Sequence, residues 1–230
     1  MVSDEMTFGR SDFWLDRAVD FWSIVTKTYS VEYSGYENVP EKGPALILSK
    51  HQSLLDIPLE GIMLRRAERY GNWVLKESLP GWLDVLGGVR YMRPDDVKKQ
   101  IRKEKGRLED EDKREYRKRL IKEMKGYNAA SNEYSKWLYK QGEIIVSHPE
   151  GTRTKGEMGK MWPDFVNVTR DFSNESGVKI PIIPVGIEYA GWSGFSSRSE
   201  IYVRVGKQID INSDDLMGIV GKEMARLSEL

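Results

Sequence analysis

PALILSKHQSLLDIP, residues 44–58, decides how this chain is read. The apolar run PALIL, closed by Ser49, reads as a strand over 44–49. It stops at Lys50, and a helical pattern begins near Ser53 and runs to about residue 68. His51 therefore falls in a strand-to-helix turn, at the carboxyl edge of a sheet where α/β proteins place ligands. A second stretch repeats the arrangement: EIIVSHPEGTRTK, residues 143–155, is again an apolar run that ends in a histidine and a tight turn. The chain holds only these two histidines in 230 residues.

Outward from these stretches, strands are expected at 31–36, 72–76, 88–92, 181–189 and 200–206. Helices are expected at 12–29, 129–140 and 213–229, the last with Ser213 as cap. Strands alternating with helices predict an α/β fold: a mainly parallel mixed sheet flanked by helices, preceded by an N-terminal amphipathic helix. No linker divides the chain, so residues 1–230 are expected to form a single domain. On the 12–29 helix, Trp14, Ala18, Phe21, Val25 and Tyr29 line one face, and Phe13, Leu15, Val19, Trp22 and Ile24 widen it. So broad an apolar arc implies either a deeply buried helix or one that packs inward on one side and touches lipid on the other. Residues 97–141 form a charged helical insertion with basic, acidic and again basic blocks. A solvated hairpin held by i,i+4 pairs is the first expectation, and a basic surface for anionic headgroups the second.

Composition narrows the chemistry. There is no cysteine, which excludes disulfides, cysteine nucleophiles and thiolate metal sites. With two histidines far apart, no metal site is expected. Formal net charge is zero, so nothing argues for a nucleic-acid partner. The first residues lack a basic-then-apolar leader, and no apolar run approaches the roughly 20 residues a membrane span needs. The expected location is cytoplasmic, peripheral on a membrane surface.

The residue chemistry of the two turns is specific. His51 and Asp56 are too far round a regular helix to meet on one face. They meet if His51 lies in the turn and Asp56 in the first helical turn. The carboxylate then orients the ring and fixes its tautomer, which makes a general base. The plainer alternative is a helix N-terminus with an ordinary first-turn acid. In the second turn, Gly151, Thr152, Arg153 and Lys155 offer backbone amides, a hydroxyl and a guanidinium, a set suited to a phosphate monoester. Ser53 and Ser147 lie nearby, but neither sits in a Gly-x-Ser-x-Gly elbow.

Together these stretches resemble the glycerolipid acyltransferases of the 1-acylglycerol-3-phosphate (lysophosphatidate) acyltransferase type. The family's histidine, four residues and aspartate are matched by His51 to Asp56, beginning His51-Gln52-Ser53. Its Pro-Glu-Gly-Thr-Arg block is matched by Pro149 to Arg153. Gly88 to Arg93 and Ile182 to Ile187 are similar to its other two blocks, so the resemblance covers about residues 40–190. His148 stands where the family usually has phenylalanine, either as a structural neighbour or as a phosphate contact. KMWPDF, after the third block, lacks the family's usual glycine.

The resemblance implies a glycerol-3-phosphate acyltransferase-like fold. It implies transfer of a fatty acyl group from acyl-CoA or acyl-ACP to the hydroxyl of 1-acylglycerol-3-phosphate. No bound cofactor is implied; the thioester is a co-substrate. His51 and Asp56 would be catalytic. Glu150, Gly151, Thr152, Arg153, Arg93 and Lys76 would bind substrate, with Lys160 a further cation. Glu150 would bind an acceptor hydroxyl or brace Arg153, and oxyanion donors would come from amides near the helix start. Alternatives are a glycerol-3-phosphate or other lysophospholipid acceptor, or a non-catalytic lipid-binding relative.

Overall fold

The computed structural model describes residues 9–104, 110–190 and 200–229. Within them the chain runs α1 (Asp12–Val25), β1 (Ser30–Ser34), β2 (Ala45–Ser49), α2 (Asp56–Arg66), β3 (Gly71–Lys76) and β4 (Gly88–Tyr91). It continues through α3 (Pro94–Glu104), α4 (Asp110–Lys140), β5 (Ile144–Ser147), α5 (Asp164–Ser176), β6 (Ile182–Ala190), β7 (Glu200–Val205) and α6 (Leu216–Leu227). The strands form one sheet in the order β1-β7-β6-β2-β5-β3-β4. Every neighbouring pair is parallel except β6 with β7. The expected α/β architecture is thus the observed one.

Strands β2 and β5 lie side by side at the centre, with Ile47 opposite Val146 and Leu48 opposite Ser147. Both are buried along their whole length, which is why their sequences show no polar alternation. Successive side chains still point to opposite faces. Ala45 and Ile47 pack under α1 and α2 with Leu15, Leu59 and Met63, whereas Leu46 and Leu48 pack under α4, α5 and α6 with Leu138, Phe172 and Val220. Burying each such Leu or Ile contributes roughly 1.5–3 kcal/mol before the entropy cost of ordering it.

Connectivity places the site. From β2 the chain passes through α2 to β3, beyond β5, and from β5 it passes through α5 to β6, beyond β2. The two connections leave adjacent strands in opposite directions, so the loops after β2 and β5 part and open a crevice at their carboxyl ends.

Three expectations need correction. Helix α2 begins three residues later than expected, because 50–55 is a loop that carries His51. The expected separate helix at 129–140 is the second half of α4, a continuous 31-residue helix. Gly126 lies inside this helix, which passes through it. The charged hairpin therefore has α3 and α4 as its arms, and its turn lies outside the described residues. Finally, Asp215 rather than Ser213 caps α6.

Helix α1 settles the choice of face differently from the expected stripe. Leu15 and Val19 are its buried residues, resting on α2, where Val19 lies against Gly61. Trp14 and Phe21, on the expected apolar stripe, are 57% and 58% exposed, and Phe13 and Ile24 are open as well. The helix packs inward along one narrow edge and leaves an aromatic face free.

Candidate active site

The loop after β2 is shaped by one carboxylate. Asp56, fully buried in the first turn of α2, accepts from the amides of Gln52 (2.7 Å) and Ser53 (2.8 Å) through Oδ2. The same oxygen accepts from His51 Nδ1 at 2.8 Å, while Oδ1 accepts the Tyr189 hydroxyl. Three donors from one tight turn fold the backbone back over the helix start, and this brings His51 onto Asp56 despite their spacing. With Nδ1–H donated to the carboxylate, Nε2 is the basic nitrogen, and it has no partner among the described residues. The ring is 17% exposed, so it is held from within and open to the crevice. Burial and the Asp56 charge push the Tyr189 phenol far upward, and it stays a proton donor at any working pH. The Gln52 and Ser53 amides are spent on Asp56, so the expected oxyanion donors at the helix start are not these two.

The loop after β5 is built on Glu150, whose side chain turns inward. Its carboxylate accepts from Lys50 Nζ (3.2 Å), the Thr154 hydroxyl, the Gly159 amide (2.6 Å) and the His51 amide (3.2 Å). Burial alone would raise its pKa; the hydrogen bonds from Thr154, Gly159 and His51, with the Lys50 charge, outweigh it and hold the carboxyl below its usual range. Glu150 was expected to hold an acceptor hydroxyl or Arg153. Its oxygens are instead committed to Lys50 and to the two loops, and it ties those loops together. Thr154 N donates to His51 O at 2.8 Å, a second stitch between them.

Gly151 has φ of +69°, a conformation that a side chain resists, and its amide donates to His148 O at 2.9 Å to close the turn. Arg93, in the loop after β4, donates to the Gly151 carbonyl and so braces the turn from outside. Thr152 and Arg153 are exposed beyond it, and Arg153 has no side-chain partner among the described residues. Lys76 stands apart from this group. It is ion-paired with Asp95 and, at 3.0 Å, with Asp96, where it fastens the end of β3 to the start of α3. Lys160 lies over the Trp162 ring at 4.3 Å. Arg90, in the block similar to the family's second, is buried and gathers the carbonyls of Glu77, Leu79 and Pro80.

His148 turns inward, toward Glu60 of α2 and the ring of His51. Its Nε2 bonds Glu60 Oε1 at 2.9 Å, and its ring stacks on that of His51 with centroids 4.2 Å apart. Burial alone would lower its pKa; the Glu60 carboxylate, with Asp56 and Glu150 behind it, outweighs burial and holds the imidazole above its ordinary value.

Lys50, Glu60 and Tyr189 escaped the sequence reading. Glu60 had a signal, since it lies four residues after Asp56 on the buried face of α2. Lys50 had one too, as a cation directly after an all-apolar strand. Nothing local marks Tyr189, which reaches Asp56 only because β6 is the neighbour of β2.

A groove of about 1800 Å³ opens beside these loops. Gln52, Ser53, Arg153, Lys155 and Tyr189 line its polar end. Trp14, Phe21 and Trp22 of α1, with Leu55, Trp73 and Trp82, form much of its apolar wall.

The family model described as Acyltransferase matches residues 30–188, the span that carries both loops. The chain belongs to the acyltransferase family. No curated protein matches the sequence. Among solved structures, this acyltransferase is similar to the 1-acyl-sn-glycerophosphate (LPA) acyltransferase PlsC from Thermotoga maritima. The match has a TM-score of 0.56 and 19% identity, covering 92% of this chain and 77% of that one. At that identity the likeness speaks to the fold. The chain is an O-acyltransferase by family, and the matched span includes the turn on which His51 Nδ1 lies 2.8 Å from Asp56 Oδ2. Among the described residues, no helix is long and apolar enough to cross a membrane.

Proposed function

We propose that this acyltransferase moves a fatty acyl group from an acyl thioester, acyl-CoA or acyl-ACP, to the hydroxyl of 1-acylglycerol-3-phosphate. The observation that supports the reading is the convergence of the His51 turn and of Arg153, which has no side-chain partner among the described residues, at the polar end of one apolar groove.

In this mechanism His51 Nε2 takes the proton of the acceptor hydroxyl as its oxygen attacks the thioester carbonyl. Asp56 fixes the ring and stabilises the imidazolium that forms. The tetrahedral intermediate collapses, the carbon–sulfur bond breaks, and His51 returns the proton to the leaving thiolate. Ester and thiol are the products, and the base is regenerated. Arg153 grips the acceptor phosphate, with bidentate reach, over the amides and hydroxyl at Gly151 and Thr152. Arg93 serves by holding the Gly151 carbonyl rather than by direct contact. The apolar groove holds the acyl chains, whose burial contributes about 0.8 kcal/mol per methylene. The open aromatic face of α1, continued by Leu54 and Trp82, seats the enzyme on the membrane surface from which a lipid acceptor is drawn.

The test is a transfer assay with purified enzyme and both donor types. Its acceptors are 1-acylglycerol-3-phosphate, glycerol 3-phosphate and a lysolipid with a choline headgroup. The highest kcat/KM is expected for 1-acylglycerol-3-phosphate. Equal or better turnover of the choline lysolipid would remove the preference for a phosphate monoester assigned to Arg153, and no transfer to any acceptor would remove the reading.

A further inference from the structure

We propose that His148 and Glu60 are a positioning pair, in which His148 caps the Glu60 carboxylate and screens the neighbouring base, His51, from its charge. The catalytic consequence rests on the acyl-transfer reading; the electrostatic claim does not.

The charges around His51 are few and enclosed. The loop after β2 brings Lys50, α2 brings Asp56 and Glu60, the loop after β5 brings Glu150, and β6 brings the phenol of Tyr189. Arg93 reaches the turn at the Gly151 carbonyl, and Arg153 lies exposed beyond it. Asp56, Glu60, Glu150 and Lys50 are all buried, so three carboxylates face one ammonium. That ammonium is spent on Glu150. Asp56 receives two amides, a phenol and the His51 ring, as a base-orienting carboxylate requires. Glu60 accepts from Trp73 Nε1 at 2.9 Å and from His148 Nε2 at 2.9 Å, and His148 is the group placed to supply it a positive charge. A buried carboxylate without a counter-cation is costly, and the enclosure makes its field felt across the cluster.

The geometry links this balance to the base. The His148 ring lies between Glu60 and His51, stacked on the latter with an interplanar angle of 29°. Bare, Glu60 would add a second negative field beside His51 and favour the imidazolium, which cannot accept a proton. Capped by a His148 cation, it does not, and the cation itself disfavours a second positive charge against its face. A phenylalanine at this position would fill the stack but could not cap Glu60.

With only two histidines in the chain, carbon-13-labelled histidine gives two ring titrations by NMR, and His148→Phe assigns them. In the wild-type enzyme the His148 ring is expected to be largely protonated at about pH 6.5, where an unperturbed imidazole is half charged. In His148→Phe, the titration of the remaining histidine and the acid limb of kcat/KM both move up by about one pH unit. His148→Phe with Glu60→Gln brings both back. A structural role alone would lower stability or kcat and leave the acid limb in place. Should His148→Phe not fold, Glu60→Gln replaces it, and there the His148 ring loses its proton near neutrality. A neutral His148 ring in the wild type at pH 6.5, or an unmoved titration in folded His148→Phe, overturns the proposal. Loss of the acyl-transfer reading would show separately, as absence of turnover in the wild type with the NMR titrations intact.

Discussion

At the scale of single residues, the site rests on two carboxylates that do unlike work. Asp56 holds the His51 ring and its turn, whereas Glu150 ties that turn to the loop that carries Arg153. Asp56→Asn keeps most of the shape but can present an amide to His51 Nδ1 and lose the charge that stabilises the imidazolium. A fall in kcat of about 10²–10⁴ is expected, with a native circular dichroism spectrum. Arg153→Ala removes an exposed cation that supports nothing else. Its expected effect is a rise in KM of about tenfold or more for the phosphorylated acceptor, with kcat changed far less and melting temperature unchanged. Lys50→Met leaves the Glu150 carboxylate buried without its cation, and a loss of about 3–5 kcal/mol in a urea denaturation series is expected. The placement of His51, Asp56 and Arg153 was legible because each lies within a few residues of a strand end that the sequence marks plainly. Lys50, Glu60 and Tyr189 were not, because their roles depend on which strand lies next to which.

At the scale of elements, local pattern located the strands within about two residues and was least secure where a helix begins or continues. The three donors to Asp56 delay the start of α2, an effect of one side chain that periodicity does not contain. Gly126 lies within the continuous α4, so one weak helix former did not end the helix. Helix α1 shows the limit of reading an apolar arc: its width was correct, but the stripe that faces the core is Leu15 and Val19, set by packing against Gly61 on α2. The exposed Trp14 and Phe21 also line the groove, so their loss is expected to weaken membrane seating and not the core. Trp14→Ser with Phe21→Ser is expected to cut sedimentation with anionic vesicles several-fold while the melting temperature holds. Unchanged sedimentation would assign membrane seating to another surface.

For the whole molecule, the order of strands performs the decisive step. Setting β2 and β5 side by side at the centre, with their connections leaving in opposite directions, turns two turns about a hundred residues apart into one crevice. The same closeness makes stability depend on pH from both sides. The His148 pKa is raised on folding, so its contribution is complete below about pH 6.5 and is lost as pH rises through the folded value. The Glu150 pKa is lowered, so its contribution is present above about pH 4.3 and is lost as pH falls through the depressed value. Melting temperature measured across pH is therefore expected to peak between these ranges, and His148→Phe is expected to flatten the alkaline side.

The most direct test of the account is the turnover of His51→Ala with an acyl thioester and 1-acylglycerol-3-phosphate, alongside its melting curve and circular dichroism spectrum. A folded variant whose kcat has fallen by at least about a thousandfold is the predicted result. A folded variant that still transfers acyl groups at the wild-type rate would contradict it.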